Sequence, residues 1–178
     1  MEKKYRLLEN DTITINGRTL YRIEALRDFA DVRKGDKGGY VESEDNLSQK
    51  DDCWVSGNAV VSDNAEVSGK AWVYGNAVVS GNAVVCGNAR VYGSAEVSGN
   101  ARVYGSADYY VGKNVWSSGR YFTYTRSNRM WLVGCFYGTG EELIRKAYQD
   151  SEVSGREYKR VVEYVEAMYA DLENDKSK

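Results

Sequence analysis

The 178-residue sequence contains no histidine and no proline, and it has only three cysteines. Without histidine, the chain has no imidazole to ligate a metal, to act as a general base or to switch charge near neutral pH. Cys53, Cys86 and Cys135 are odd in number and form no Cys-x-x-Cys pair. A zinc site and a disulfide framework are therefore not expected. We expect no metal, no other cofactor and no catalytic residue.

Long hydrophobic runs and a strong charge of either sign are also absent. No apolar run approaches the about 20 residues that a membrane span requires, and the first residues lead into no signal-peptide-like segment. Lysine and arginine number 24 and aspartate and glutamate 26, for a formal net charge of −2. A near-neutral balance argues against DNA binding. We expect a cytoplasmic protein that binds neither a membrane nor DNA.

A six-residue repeat fills the middle of the chain. Nine units of the form Val-x-Gly-Asn-Ala-x run from Val55 to Asp108 without an insertion. Position 1 is valine and position 5 is alanine in all nine units, position 3 is glycine in eight, and position 4 is asparagine in six. Alanine and valine at alternate positions predict a short strand with one dry face, and Gly-Asn predicts a bend after it. Stacked turns of a coil would bury the valines and alanines in one column.

The pattern resembles the hexapeptide repeat of left-handed parallel β-helices, in which an aliphatic residue recurs at position 1 and a small residue at position 5. The resemblance implies that three units form one coil of about 18 residues, and left-handedness rests on it alone. We also expect degenerate units on both sides of the strict repeat. Leu47 and Cys53 would continue position 5 before it, and Tyr109, Val115 and Tyr121 would continue position 1 after it.

The flanking segments predict a cap at each end of a mainly β protein. Residues 4–25 predict a β-hairpin around the Asn16-Gly17 turn. A strand over residues 130–136 and two helices, the first capped by Thr139 and Glu142, are predicted at the other end. An apolar stripe on the second helix, from Tyr158 to Leu172, is predicted to cover the end of the β-helix. The predicted parts are 1–42 (hairpin and connector), 43–126 (β-helix) and 127–178 (strand and helical cap). The full layout resembles small hexapeptide-repeat proteins encoded by phages and prophages.

Residues 18 apart would share a face of such a coil, and two faces combine outward aromatic and arginine side chains. The first face is predicted to contain Trp54, Trp72, Tyr74, Arg90, Tyr92 and Tyr110, and the second Arg102, Tyr104, Arg120 and Phe122. Tryptophan, tyrosine and arginine dominate the energetics of protein interfaces. Stacking of outward aromatics that only stabilises the coil is the alternative interpretation.

These faces favour a non-catalytic binding module, phage-encoded by resemblance, that acts on a host protein or on a small ligand such as a nucleotide. Inhibition of a host defence system is one form of this hypothesis. The resemblance also implies a homo-oligomer, with a trimer favoured. The alternative is a structural, self-assembling β-helix. A hexapeptide acyltransferase is less favoured, because the base that the resemblance implies is a histidine. Asp63, which replaces the glycine of its unit, could substitute as a base, but a tolerated turn substitution is the preferred interpretation.

Overall fold

The computed structural model describes residues 2–175, which divide into two compact units at Asp108/Tyr109. The N-terminal unit is a β-solenoid of about four turns, preceded by a hairpin sheet. The C-terminal unit is a four-stranded antiparallel sheet with two helices. None of the helices in the described residues is both long enough and apolar enough to cross a membrane. The predicted fold class, a solenoid with about 18 residues per turn, an N-terminal hairpin and two C-terminal helices, is confirmed.

The hairpin sheet begins the N-terminal unit. Strands β1 (Tyr5–Ile15) and β2 (Arg18–Ala25) pair antiparallel around the Asn16-Gly17 turn, and both turn residues have positive φ angles. Strand β3 (Lys37–Val41) pairs antiparallel with β2 and parallel with the first strand of one solenoid face. The hairpin therefore extends a face of the solenoid and belongs to the same compact unit.

Nine two-residue strands form the solenoid, one at the start of each of the nine repeat units. They are β4 (Trp54–Val55), β5 (Val60–Val61), β6 (Glu66–Val67), β7 (Trp72–Val73), β8 (Val78–Val79), β9 (Val84–Val85), β10 (Arg90–Val91), β11 (Glu96–Val97) and β12 (Arg102–Val103). Each strand pairs in parallel with the strand 18 residues away, as β4 with β7 and β7 with β10. Every valine at position 1 is buried, and so is every alanine at position 5 except Ala107 of the last unit, which is exposed. Successive turns are joined by backbone hydrogen bonds such as Trp54 N to Ala71 O, at 3.0 Å, which explains the absence of proline.

In five units the glycine lies close to the backbone of the next turn: Gly57, Gly69, Gly75, Gly81 and Gly87. Gly81 has a φ of +68°, and a Cβ built on it would lie 2.9 Å from the backbone nitrogen of Gly99. Both the left-handed angle and the close approach favour glycine there. The asparagine that follows forms amide ladders along the solenoid, for example Asn64 Nδ2 to Asn82 Oδ1 at 3.1 Å.

The first turn departs from the strict repeat. Val41 pairs with Val61 and Leu47 with Val67, so these partners are 20 residues apart and not 18. Leu47 therefore occupies position 1, and its predicted place at position 5 is wrong. Cys53 does occupy position 5, because it precedes Trp54 as Ala71 precedes Trp72. The two extra residues lie in the loop between Leu47 and Cys53, where Lys4 Nζ donates to the carbonyl oxygens of Asp51 and Cys53 at 2.8 Å.

The C-terminal unit starts where the repeat loses its glycine. Strands β13 (Tyr109–Lys113), β14 (Tyr121–Thr125), β15 (Met130–Val133) and β16 (Phe136–Gly138) pair antiparallel in chain order. The prediction of further solenoid units over residues 109–126 is wrong. In the repeat register, Val111 and Thr123 fall at position 3, and β-branched residues resist the left-handed conformation of that position. The chain stays extended and pairs with itself. The strand predicted over 130–136 is likewise two strands, joined by a turn at Gly134 with φ +58°.

Two helices cover this sheet. Helix α1 (Gly140–Asp150) has the predicted capping box, in which Thr139 Oγ1 accepts from Glu142 N and Glu142 Oε2 accepts from Thr139 N. Helix α2 (Glu152–Asp175) contains the predicted apolar stripe. Most of the stripe packs on the unit's own core, which includes Phe122, Tyr124 and Trp131 of the sheet, whereas Leu172 is exposed. The stripe thus covers the antiparallel sheet.

Candidate functional site

Four of the predicted residues form a cluster at the surface of one face of the solenoid, with Arg90 and Tyr92 exposed and Trp72 and Tyr74 half-buried. Trp72 of β7 and Arg90 of β10 are register partners, and Tyr74 and Tyr92 follow these strands two residues later. Position 6 and position 2 both point away from the valine and alanine core, so strand pairing aligns the four side chains. We call Trp72, Tyr74, Arg90 and Tyr92 the aromatic–arginine surface.

The side chains of this surface are stacked in pairs. The rings of Tyr74 and Tyr92 lie 5.3 Å apart and are inclined by 13°. The Arg90 guanidinium carbon lies 5.9 Å from the centre of the Trp72 ring, within the range of a cation–π contact. Tyr92 is 50% exposed, and Arg90 is exposed as well. Stacking therefore fixes the geometry and leaves aromatic area and a charged group in solvent.

Trp54 does not belong to this surface, although the repeat register places it beside Trp72. It is 2% exposed and packs edge-on against Phe29 and Tyr5, at ring distances of 5.3 and 6.3 Å. The hairpin and connector cover it. The predicted outward position of Trp54 is wrong, because the covering residues come from a part of the chain that the repeat does not describe.

Tyr110, Arg120 and Phe122 lie in the C-terminal unit and not on a solenoid face. Phe122 is 3% exposed and belongs to the core of that unit, and Tyr110 packs against the same core. Arg120 precedes β14, is exposed and lines a cleft of the C-terminal unit. Their predicted places on the two faces are wrong for the reason given for residues 109–126.

The second predicted face retains Arg102 and Tyr104. Tyr104 is 53% exposed, and a hydrogen bond to Tyr104 is the main cause that raises the pKa of Arg102. Asp108 closes this end of the repeat, because its carboxylate accepts from the backbone nitrogens of Tyr104 and Gly105 at 2.8 and 3.0 Å. This pair presents the same residue types at the same repeat positions as Arg90 and Tyr92.

Asp63 anchors the hairpin to the solenoid. Its Oδ1 lies 2.8 Å from Arg18 Nη1, and its Oδ2 accepts from Gly81 N at 2.9 Å. Its backbone nitrogen donates to Glu42 Oε2 at 2.7 Å. Both carboxylate oxygens are therefore engaged, and the unusual residue at position 3 has a positioning role.

A cleft that the sequence did not reveal lies within the C-terminal unit. It has a volume of about 670 Å³ and is lined by the loop around Ser117, by the β15–β16 hairpin and by the junction of α1 and α2. Asn114 is buried at its edge and bonds Ser117 and the Tyr158 hydroxyl. The lining residues share no period or motif, so the cleft has no signal in the sequence. Within residues 2–175, no group of three or more cysteine, aspartate or glutamate side chains is arranged to hold a metal ion.

The comparisons with known proteins concern the solenoid. A family model described as the YdcK β-solenoid repeat matches residues 71–87, 83–97 and 95–107. These segments overlap and span the later repeat units, including all four residues of the aromatic–arginine surface. No curated protein matches the chain.

Proposed function

We propose that the protein is a non-catalytic binding protein and that a partner protein binds its aromatic–arginine surface. The observation that carries this proposal is the alignment of two stacked pairs, Trp72 with Arg90 and Tyr74 with Tyr92, whose outer members are exposed. Stacking lowers the entropy that these side chains would lose on binding, and their residue types are those of interface hot spots.

The chemistry of the chain supports binding over catalysis. The resemblance to hexapeptide acyltransferases implies a histidine base, and the sequence contains no histidine. Asp63, the one acidic residue at position 3, has its carboxylate committed to Arg18 and to the backbone of Gly81. An acyltransferase remains the third hypothesis, and protection from thermal unfolding by acetyl-coenzyme A would support it.

The origin of the partner follows from the resemblance alone. The layout of the chain resembles small hexapeptide-repeat proteins of phages and prophages. The proposed partner is therefore a protein of the bacterial host that the chain binds in the host cytoplasm. Interference with a host defence protein is the specific form of this proposal. A left-handed winding and a trimeric assembly belong to the same resemblance.

The test compares two double variants that are matched in residue type and repeat position. R90A/Y92A alters the aromatic–arginine surface, and R102A/Y104A alters the equivalent positions on another face. Proteins captured from an extract of the source cells are quantified for both variants and for the wild type, and each captured protein is then purified and titrated directly. We expect R90A/Y92A to weaken binding at least about tenfold and R102A/Y104A to leave it unchanged. Equal binding by R90A/Y92A and the wild type would contradict the proposal.

Self-assembly is the competing hypothesis, and the same variants address it. Light scattering after size-exclusion chromatography measures the mass of each. A polydisperse wild type that becomes a single species in R90A/Y92A would show that the surface joins copies of this chain. A wild type of one defined mass, shared by both variants, is the result expected from the binding proposal.

A further inference from the structure

The cleft of the C-terminal unit is lined by two hydroxyl groups that donate to no acceptor within residues 2–175. Ser154, at the start of α2, is 8% exposed, and its side chain lines the cleft. Within residues 2–175 its Oγ forms no hydrogen bond. The Tyr158 hydroxyl accepts from Asn114 Nδ2 at 3.1 Å, and in the same described residues its own proton is donated to no acceptor. Ser154 Oγ is not fully enclosed by protein, so the lining of the cleft offers two hydroxyl donors to a bound ligand.

The cleft also contains positive charge that the protein does not neutralise by direct pairing. Arg120 and Lys146 line it, and neither forms an ion pair with any residue from 2 to 175. Asp150 is the one carboxylate in the lining. Two cations and one anion leave the lining with a net charge of about +1 at neutral pH. Burial is the main cause that raises the pKa of Tyr158, so its hydroxyl group stays protonated and able to donate.

Part of the remaining wall of the cleft is apolar, beside polar residues such as Ser117 and Ser151. Val133, Phe136 and Leu143 face it from the hairpin and from α1. The volume of about 670 Å³ lies within the range of small-molecule sites, in which apolar walls bind the body of the ligand and a few polar groups orient it. A lining that combines cations, hydroxyl donors and apolar side chains predicts a ligand with an anionic group attached to a largely apolar body.

We propose that this cleft binds a phosphate monoester of a ring compound, with the size of a nucleoside monophosphate. Arg120 and Lys146 pair with the phosphate, and the Ser154 and Tyr158 hydroxyls donate to its oxygens. The ring packs between Phe136 and the apolar residues of α1. Asp150 accepts from an amino or hydroxyl group of the body. The site is distinct from the aromatic–arginine surface, so its presence does not depend on the function proposed above.

The direct test is calorimetric titration of the full-length protein with AMP, GMP, CMP, UMP and glucose 6-phosphate. Inorganic phosphate tests the anion alone, and adenosine tests the ring alone. We expect at least one nucleoside or sugar monophosphate to bind more tightly than both controls. No binding of any monophosphate at millimolar concentration would overturn the proposal, and so would equal binding of adenosine and AMP. The ranking of nucleotides against glucose 6-phosphate identifies which kind of ring compound the cleft prefers.

Variants connect binding to the cleft. R120Q/K146Q removes both cations, and S154A removes one donor. R145Q is the matched control, because Arg145 is exposed, lies on the same helix as Lys146 and does not line the cleft. We expect R120Q/K146Q to weaken binding at least about tenfold, S154A to weaken it by a smaller factor, and R145Q to leave it unchanged. Equal affinities in R120Q/K146Q and R145Q would overturn the assignment.

Cys135 supplies a second readout that does not depend on substitution. It lines the cleft and is exposed, whereas Cys86 lies on the solenoid and is half-buried. Alkylation by iodoacetamide is followed at each cysteine by mass spectrometry, with and without the monophosphate. We expect the ligand to slow modification of Cys135 and to leave Cys86 unaffected. Saturating ligand that leaves the Cys135 rate unchanged would place binding elsewhere and overturn the proposal.

Discussion

Substitutions at Asp63 separate the side-chain and backbone contributions of this one residue to the stability of the protein. Its φ of 58° lies in the left-handed region, which costs about 1–2 kcal/mol for an L-residue other than glycine. D63G and D63A lose the same ion pair to Arg18 and the same bond to Gly81, but only alanine retains the backbone cost. We expect D63A to be about 1 kcal/mol less stable than D63G, measured by urea unfolding with tryptophan fluorescence. Equal stabilities would contradict this account of position 3.

The role of Asp63 could not be predicted from the repeat, and the same reason explains the error at Trp54. The repeat encodes contacts at a spacing of 18 residues, whereas Arg18 and Phe29 reach their partners from the hairpin and connector. Trp54 and Trp72 are therefore equivalent in the sequence, but one is buried and the other half-buried. The alignment of the four residues of the aromatic–arginine surface could be predicted, because it depends on register alone.

The solenoid strands were predictable because the same residue types recur at the same positions in every repeat unit. Valine and alanine alternate inward, and glycine adopts a positive φ at the bend. The capping box of α1 was predictable for a similar reason, since its partners are three residues apart. The antiparallel pairing of β13 with β14 was missed, because the tyrosines at 109 and 121 keep the position-1 spacing while Val111 lacks the glycine on which the bend depends.

Deletions of different length test whether each turn is an interchangeable unit of 18 residues. Removal of residues 73–90 joins Trp72 to Val91 and restores every repeat position, with Gly99 in the place of Gly81. Removal of residues 73–89 leaves one extra residue, so Arg90 takes an inward position and Val91 points outward. We expect the 18-residue deletion to keep the circular dichroism spectrum and cooperative unfolding of the wild type. The 17-residue deletion should be much less stable, because it buries an arginine without a partner.

The two deletions differ by a single residue, so a difference in stability cannot come from chain length. Equal stability in the two proteins would mean that a bend absorbs the extra residue, as the longer loop before Cys53 does in the first turn. That result would contradict a strict register requirement within the repeat.

Each compact unit contains one candidate site, and only one of the two could be predicted from the sequence. The alignment of the aromatic–arginine surface follows from the 18-residue period, which can be counted in the sequence. The cleft combines Arg120, Lys146, Ser154 and Tyr158, which come from a loop and two helices. Sheet pairing and helix packing bring them together, and no spacing in the sequence encodes that arrangement. Arg120 was predicted as a binding residue, but on a solenoid face that the structure does not contain.

The absence of histidine has a consequence for the stability of the whole protein. Between about pH 6 and 7.5 no side chain has an ordinary pKa in range, so the free energy of unfolding should vary by less than about 0.5 kcal/mol. Below about pH 4.5 stability should fall. Hydrogen bonds from Lys37, Thr139 and Arg156 lower the pKa values of Asp11, Glu142 and Glu157 respectively. The unfolded chain therefore binds protons first as the pH falls. Glu96, whose pKa burial raises, opposes this loss.

The variant E142Q isolates the contribution of Glu142 to the loss of stability at low pH. Glutamine at this position can still bond the backbone nitrogen of Thr139, so the cap remains while the titrating group is lost. Urea unfolding of the wild type and E142Q from pH 3 to 7.5 gives the free energy of unfolding at each pH for every transition that is resolved. We expect the stability advantage of the wild type over E142Q to shrink as the pH falls below about 4.5, because protonation of Glu142 removes the charge that favours the helix N-terminus. A stability advantage of the wild type that grows on acidification would contradict the lowered pKa of Glu142. A free energy of unfolding that changes between pH 6 and 7.5 would require a titrating group that side chains of ordinary pKa do not provide.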